Sequence, residues 1–365
     1  MRKKQSILGA VLLGFLGAVI LAGGLIRLTT DDRKESSGGS SGSSLPGVSD
    51  SSSSTEPVFD PYEGVSGNRT VLYFDIPEDN KTVSFPVGAE VERVVFSDSD
   101  KEEFIYTAHQ DVSDACTIEY TFETSGAKMI DILGETSVPY RAFYEEKRLT
   151  SVTIGEGVTV IGEESFYNCT ALQTVDFSST SLKTIENSAF LFAEGLLSVE
   201  IPDSVNSLGK NAFSYCYALK NVKIGSGISS VPYQAFYACS AVEELAIGEN
   251  VTLIDAQAFS CLKSLKEVVI PDSVKTIGYE AFAYCDHVET LTIGSGVESI
   301  AGNAFDSFLP MTTIYCRAEV PPTLDTNVFN GCDKIEEIFV LSETAKTAYQ
   351  TADGWSAFAD KIFVA

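Results

Sequence analysis

"LKEVVIPDSVKTIGYEAFAYC", residues 265–285, is one complete unit of a repeat, and its reading decides the fold. The strand signal is clearest in the sister segment "LKNVKI", 219–224, where Val222 and Ile224 alternate with Asn221 and Lys223. A half-buried strand has that period of two. "IPDSV", and elsewhere "IGSGV", puts turn-forming residues directly after the strand. A short segment carrying Ala-Phe then crosses back to begin the next strand.

Alignment on that phenylalanine or its equivalent gives Phe143, Phe166, Phe190, Phe213, Phe236, Phe259, Phe282, Phe305 and Phe329, in steps of 23 or 24 residues. A second column runs in phase: Leu149, Leu172, Leu196, Leu219, Val242, Leu265, Val288, Met311 and Ile335. One such unit cannot bury its own apolar face, so neighbours must stack into a solenoid. Each phenylalanine then fills the interior once per turn. The expected fold class is a β-rich repeat solenoid of about nine units.

The pattern L-x-x-V-x-I-P-x-x-V-x-x-I-G-x-x-A-F-x-x-C resembles the BspA-like, or Treponema-type, leucine-rich repeat, and 265–285 matches it almost position for position. The ending "ETAKTAYQTADGWSAFADKIFVA", 343–365, is similar to the closing cap of that family, with Tyr349 and Trp355 placed to cover the last repeat. The resemblance spans about 130–365. It implies a right-handed leucine-rich-repeat solenoid on a bacterial surface, associated with adhesion or protein binding. It brings no catalytic residues with it.

The remainder of the chain divides by composition. Arg2, Lys3 and Lys4 precede an uncharged apolar stretch, Ile7–Ile26, which as a helix would span roughly 30 Å, one hydrocarbon core. Basic residues ahead of it place everything after it outside the cytoplasm. The expectation for 1–30 is a signal-anchor, or a signal peptide if "LAGG" at 21–24 is cleaved. The Ser/Gly-rich tract 31–57 is a linker, too poor in apolar residues to fold. Residues 58–128 read as a β-rich domain or cap, from "TVLYFDI", "KTVSFPV" and "CTIEYTF". Repeats occupy 129–340 and the closing cap 341–365. The product is extracytoplasmic, held to the membrane by one N-terminal helix or released if cleaved.

Five cysteines, Cys169, Cys216, Cys239, Cys285 and Cys332, sit three residues after the repeat phenylalanine, where other units carry Ala193, Leu262 or Phe308. A slot that takes Cys, Ala, Leu and Phe requires an apolar filler, and free cysteine behaves as a small buried hydrophobe. No C-x-x-C occurs, so a zinc ribbon has no support. Only His109 and His287 could serve a triad, and the glycines of "GEGVTVIG", 155–162, recur as repeat turns. Glu244 and Glu267 would approach to about 5 Å if their strands pair in register, but an open sheet encloses no sugar. The sequons at Asn68 and Asn168 carry weight only in a glycosylating host. The expectation is a non-enzymatic protein with no cofactor and no metal site.

Solenoids bind along their exposed sheet. One outward column runs Thr153, Asp176, Glu200, Lys223, Ala246, Val269, Thr292, Tyr315 and Phe339. Its polarity gives way at the C-terminal end, where two aromatics fall on adjacent strands. Exposed aromatic pairs mark interfaces. The candidate partner-binding residues are Tyr315, Phe339, Val269, Thr292 and Glu337, unless the C-terminal cap folds over them. The partner expected is a protein or a glycan on that sheet, the alternative role being an envelope structural or polysaccharide-binding module. A net charge of −26 excludes nucleic acid, which needs a basic footprint.

Overall fold

A computed structural model describes residues 18–21, 24–29, 68–88, 90–98, 103–107, 116–178 and 181–365. Within 129–340 the chain coils once per repeat, forming two parallel ladders and a row of tight turns around one core. The first ladder contains the strands read from the sequence, among them Ser198–Ile201, Asn221–Ile224 and Thr313–Cys316. Their in-register pairing puts Val199 beside Val222 and Ile314 beside Ile338. The second ladder is built from two-residue strands such as Ser230–Val231, Leu253–Ile254 and Thr276–Ile277. These correspond to the V-x-x-I-G part of the unit. Their apolar residue points inward and completes the second wall.

The Ala-Phe turns close the third side. The Phe213 amide donates to the Ala235 carbonyl at 2.8 Å, and Phe236 to Ala258 at 2.9 Å, so successive turns are also bonded coil to coil. To aim its amides at the next coil, each turn puts the residues two before and two after its phenylalanine in the left-handed region. Seventeen non-glycine residues there, from Arg141 to Asn327, have φ of 53° to 65°, and Gly331 takes the one remaining slot. An L-residue in that region costs roughly 1–2 kcal/mol. The inter-coil bonds offset that cost.

Inside, the repeat phenylalanines from Phe143 to Phe329 stack in one column at 5.0–5.8 Å between ring centroids. The step follows the ~4.8 Å spacing of paired strands. The cysteine slot lies beside this column and is buried whatever occupies it, Cys239, Ala193, Leu262 and Phe308 included. Each thiol also donates to the carbonyl of the phenylalanine one repeat back, as Cys239 does to Phe213 at 3.0 Å and Cys285 to Phe259 at 3.3 Å. The thiols are free, and burial pushes Cys169, Cys216 and Cys285 well above their ordinary ionisation. They fill space and satisfy an acceptor, and they are poor nucleophiles.

At the N-terminal end, Arg69–Ile76 pairs antiparallel with the first repeat strand, Leu149–Ile154, setting Leu72 opposite Val152. Gly126–Leu133 and Arg93–Asp98 extend this sheet. Leu72, Phe85, Phe96 and Ile130 therefore join the same core as the repeats and cover their open end. Arg148 pins the seam, ion-paired to Glu146 and donating to the carbonyls of Asn80 and Thr82 at 3.0 and 2.9 Å. At the other end the helix Glu343–Thr351 starts from Ser342, whose hydroxyl accepts from the Ala345 amide. Trp355 is buried against Phe329 and donates to the Pro322 carbonyl at 2.9 Å. Tyr349 donates to Ala318 at 3.2 Å, so both expected cap residues cover the last repeat.

The membrane helix expected over Ile7–Ile26 lies mostly outside the described residues. The described parts of that stretch are strands: Ala18–Leu21 pairs with Gly24–Thr29, which pairs in turn with Cys116–Thr121. Among the described residues no helix is long and apolar enough to cross a membrane.

Candidate functional site

The exposed face of the first ladder is the candidate site, and its register follows the columns read from the sequence. Val269, Thr292, Tyr315 and Phe339 sit side by side on successive strands. The ladder is not continuous, however. Among the described strands Glu244–Ala246 pairs only with Asn221–Ile224, while Glu267–Val269 begins a separate sheet. Glu244 and Glu267 therefore do not form the in-register carboxylate pair that a glycosidase reading would need.

The C-terminal cap does not fold over the aromatic pair. Its last strand, Ile362–Val364, pairs in parallel with Glu337–Val340 and adds Phe363 to the same column. Tyr315 and Phe339 stack at 5.5 Å with their planes 17° apart, and Phe363 follows at 6.2 Å, tilted by 45°. Tyr315 and Phe363 are exposed and Phe339 is half-buried between them. Three rings in a row thus stand on the sheet where the N-terminal units carry Thr153, Asp176 and Glu200. Tyr315 and Phe339 border a shallow depression of about 330 Å³, lined also by Thr292, Arg317 and Leu341.

The other expected contacts divide. Val269 is exposed two strands from Tyr315, and Glu337 is exposed two residues before Phe339 on the same strand. Thr292 departs from the expectation of an exposed contact: it is 6% exposed, set between Val269 and Tyr315, and forms part of the depression's wall. Two features escaped the sequence reading. Phe363 falls 24 residues after Phe339, in phase with the column, but lies beyond the last recognisable repeat. Arg317 directly follows its strand and lines the same depression as Tyr315 and Phe339, a cation on a strongly acidic chain.

A wider depression of about 600 Å³ lies over the seam between the N-terminal sheet and the first repeats, between Asp75, Lys147, Gln173 and Leu197. Its Arg148 is committed to the structural bonds described above. His287 is exposed on a turn with Nδ1 3.0 Å from Asp286, and among the described residues no nucleophile hydrogen-bonds to it; His109 lies outside the described residues. Among the described residues no group of three His, Cys, Asp or Glu side chains is placed to hold a metal ion.

A sequence profile of the BspA type leucine rich repeat region matches residues 136–262 and 252–352, more than half of the chain. The chain belongs to the BspA-type leucine-rich repeat family. Its described coils are BspA-type units throughout that span, with Tyr315 and Phe339 on the last of them and Phe363 beyond it. No curated protein sequence matches the chain. Solved structures similar to it include a leucine-rich repeat protein from Bacteroides ovatus, at 20% identity and a TM-score of 0.48 over 60% of this chain and 61% of that one. A leucine rich repeat protein of T. pallidum is 21% identical with a TM-score of 0.41, over 56% of this chain and 88% of that one. A leucine rich cell surface protein from Faecalibacterium prausnitzii is 21% identical with a TM-score of 0.34, over 64% and 84%.

Proposed function

We propose that this BspA-type solenoid is a non-enzymatic, extracytoplasmic binding protein that engages another protein through the C-terminal end of its exposed sheet. The observation that carries the reading is the row Tyr315, Phe339 and Phe363, left uncovered by the cap. Leaving large rings in water is unfavourable, and clustered exposed aromatics are enriched at interfaces. The ring geometry favours a protein over a glycan. Sugars stack on flat ring faces, and here Tyr315 and Phe339 lie face to face, presenting their edges outward. Arg317 and the depression beside the rings add a charged anchor point for the partner.

Placement outside the cytoplasm rests on the basic residues Arg2, Lys3 and Lys4 ahead of the apolar stretch Ile7–Ile26, followed by the tether 31–57. The family resemblance then makes adhesion to host or neighbouring-cell proteins the biological role. The test is saturable binding of the full chain to immobilised matrix proteins and to cell-wall polysaccharides, alongside a Tyr315→Ala/Phe339→Ala variant. The expected result is protein binding weakened at least tenfold in the variant. Binding to polysaccharide alone, or protein binding that the variant leaves intact, would overturn the assignment.

A further inference from the structure

A second row of aromatic rings lies on a different flank, along the outside of the Ala-Phe turns. Tyr144 stacks on Tyr167 at 4.7 Å, and Tyr167 meets Phe192 edge-on at 5.7 Å. Phe192 stacks on Tyr215 at 4.7 Å, and Tyr215 meets Tyr237 and Tyr217 edge-on at 5.3 and 6.0 Å. All six rings are exposed or half-buried. None belongs to the interior column, so packing of the core does not require them.

The row's first rung shows which chemistry it accepts. The Arg141 guanidinium sits 4.6 Å from the Tyr144 ring centroid and 5.1 Å from that of Tyr140, while ion-paired to Glu164. Aromatic face and carboxylate together hold a cation there. The same two groups recur along the row. Glu145 directly follows Tyr144, and Glu194 lies two residues after Phe192, both exposed in the same turns as the rings. The junctions at Phe192, Tyr217 and Tyr237 are edge-on instead of stacked, and Tyr217 is exposed, so ring surface stays accessible along the row. Four steps of 4.7–5.7 Å from Tyr144 to Tyr237 make a track roughly 20 Å long, which an extended chain of about six residues spans.

We propose that this flank docks a basic polypeptide segment, its arginine side chains seated against the accessible rings and paired with the flanking carboxylates. Arginine suits the site better than lysine because its planar, weakly hydrated guanidinium both stacks on a ring and pairs with a carboxylate. Polyanions are repelled by the same carboxylates. A neutral glycan lacks the positive charge that the flanking carboxylates select, so charge separates it from a basic peptide.

The test measures anisotropy of fluorescent nona-arginine, nona-lysine and nona-glutamate with the full chain at 150 mM salt. The comparison is with Tyr167→Leu/Tyr215→Leu/Tyr217→Leu, which keeps every charge and removes three rings. Nona-arginine should bind more tightly than nona-lysine, nona-glutamate should not bind, and the triple variant should lose at least tenfold for nona-arginine. Tyr217→Leu alone changes only an exposed ring and should lose about threefold, which decides the matter if the triple variant unfolds. Unchanged affinity in these variants would reduce the effect to net charge and overturn the proposal. So would equal binding of the two cationic peptides, or displacement of nona-arginine by chitohexaose. Tyr315→Ala/Phe339→Ala should leave nona-arginine affinity intact, which separates this flank from the sheet face.

Discussion

Glu135 offers the sharpest quantitative test of the seam between the N-terminal sheet and the repeats. It follows Gly134 out of the strand Gly126–Leu133, and its side chain is only 1% exposed. Neither carboxyl oxygen makes a hydrogen bond, and the equally buried Thr70 hydroxyl only partly offsets the burial. Burial, opposed by Thr70 and reinforced by the charge of Glu90, lifts its ionisation from 4.5 to about 8. The folded chain thus holds a proton at neutral pH that the unfolded chain releases. Stability contributed by this group is complete below pH 4.5 and is lost as pH rises through 8. At 1.36 kcal/mol per pH unit, the total loss is about 5 kcal/mol. Glu135→Gln keeps the shape and removes the titration. Urea unfolding of both proteins, followed by circular dichroism from pH 4.5 to 9, isolates the group, since all other carboxylates cancel in the difference. The variant should match the wild type near pH 4.5 and exceed it progressively, by up to about 5 kcal/mol at pH 8. A difference that stays flat with pH, or a variant that is less stable at pH 8, would refute the buried neutral acid.

Three further outcomes follow from the coil. Phe236→Ala opens a gap in the phenylalanine column and should cost about 3–5 kcal/mol in urea unfolding. Ala238→Gly, at a φ of 60°, should stabilise by up to about 1 kcal/mol, whereas Ala235→Gly, in the buried turn, should destabilise by at least that much. Both are read from thermal midpoints, and the two changes having the same sign would contradict the turn geometry. Among the described cysteines, Ellman's reagent should modify half-exposed Cys261 first in the native protein, leaving Cys169, Cys239 and Cys285 unreacted until denaturant is added.

The strand, turn and phenylalanine columns are legible in the sequence because burial forces the same residue types every 23 residues. The cysteine slot is legible for the same reason, since Ala193, Leu262 and Phe308 report its character. The left-handed turn positions are not. Asn168, Asn211, Asn303, Asn327 and Gly331 suit them, but Arg141, Phe192, Tyr215 and Cys261 occupy equivalent positions, so no residue type marks the column. The two-residue strands are too short to alternate. The aromatic flank is hidden for a geometric reason: Tyr144, Tyr167 and Tyr237 directly follow their phenylalanine, whereas Phe192 and Tyr215 stand one residue later. No single column contains the row. On the sheet, Tyr315 and Phe339 are legible as departures from a polar column, but the burial of Thr292 between its neighbours requires the packed strands.

The turns also carry a run of side-chain amides. Asn211 donates to Gln234 at 2.8 Å, Gln234 to Gln257 at 2.6 Å, and Gln257 to Glu280 at 2.6 Å, each bond joining residues 23 apart. An amide both gives and accepts, so a copied unit inserted within this run meets a matching partner above and below. A carboxylate only accepts, so the run ends at Glu280 in that direction. Tandem duplication of residues 234–256 would therefore lengthen the rod by one coil and leave every rung satisfied. Duplication of 164–187 would instead place Glu164 against its own copy. The amide run of the middle coils thus accepts a whole added coil where the Arg141–Glu164 pair would not.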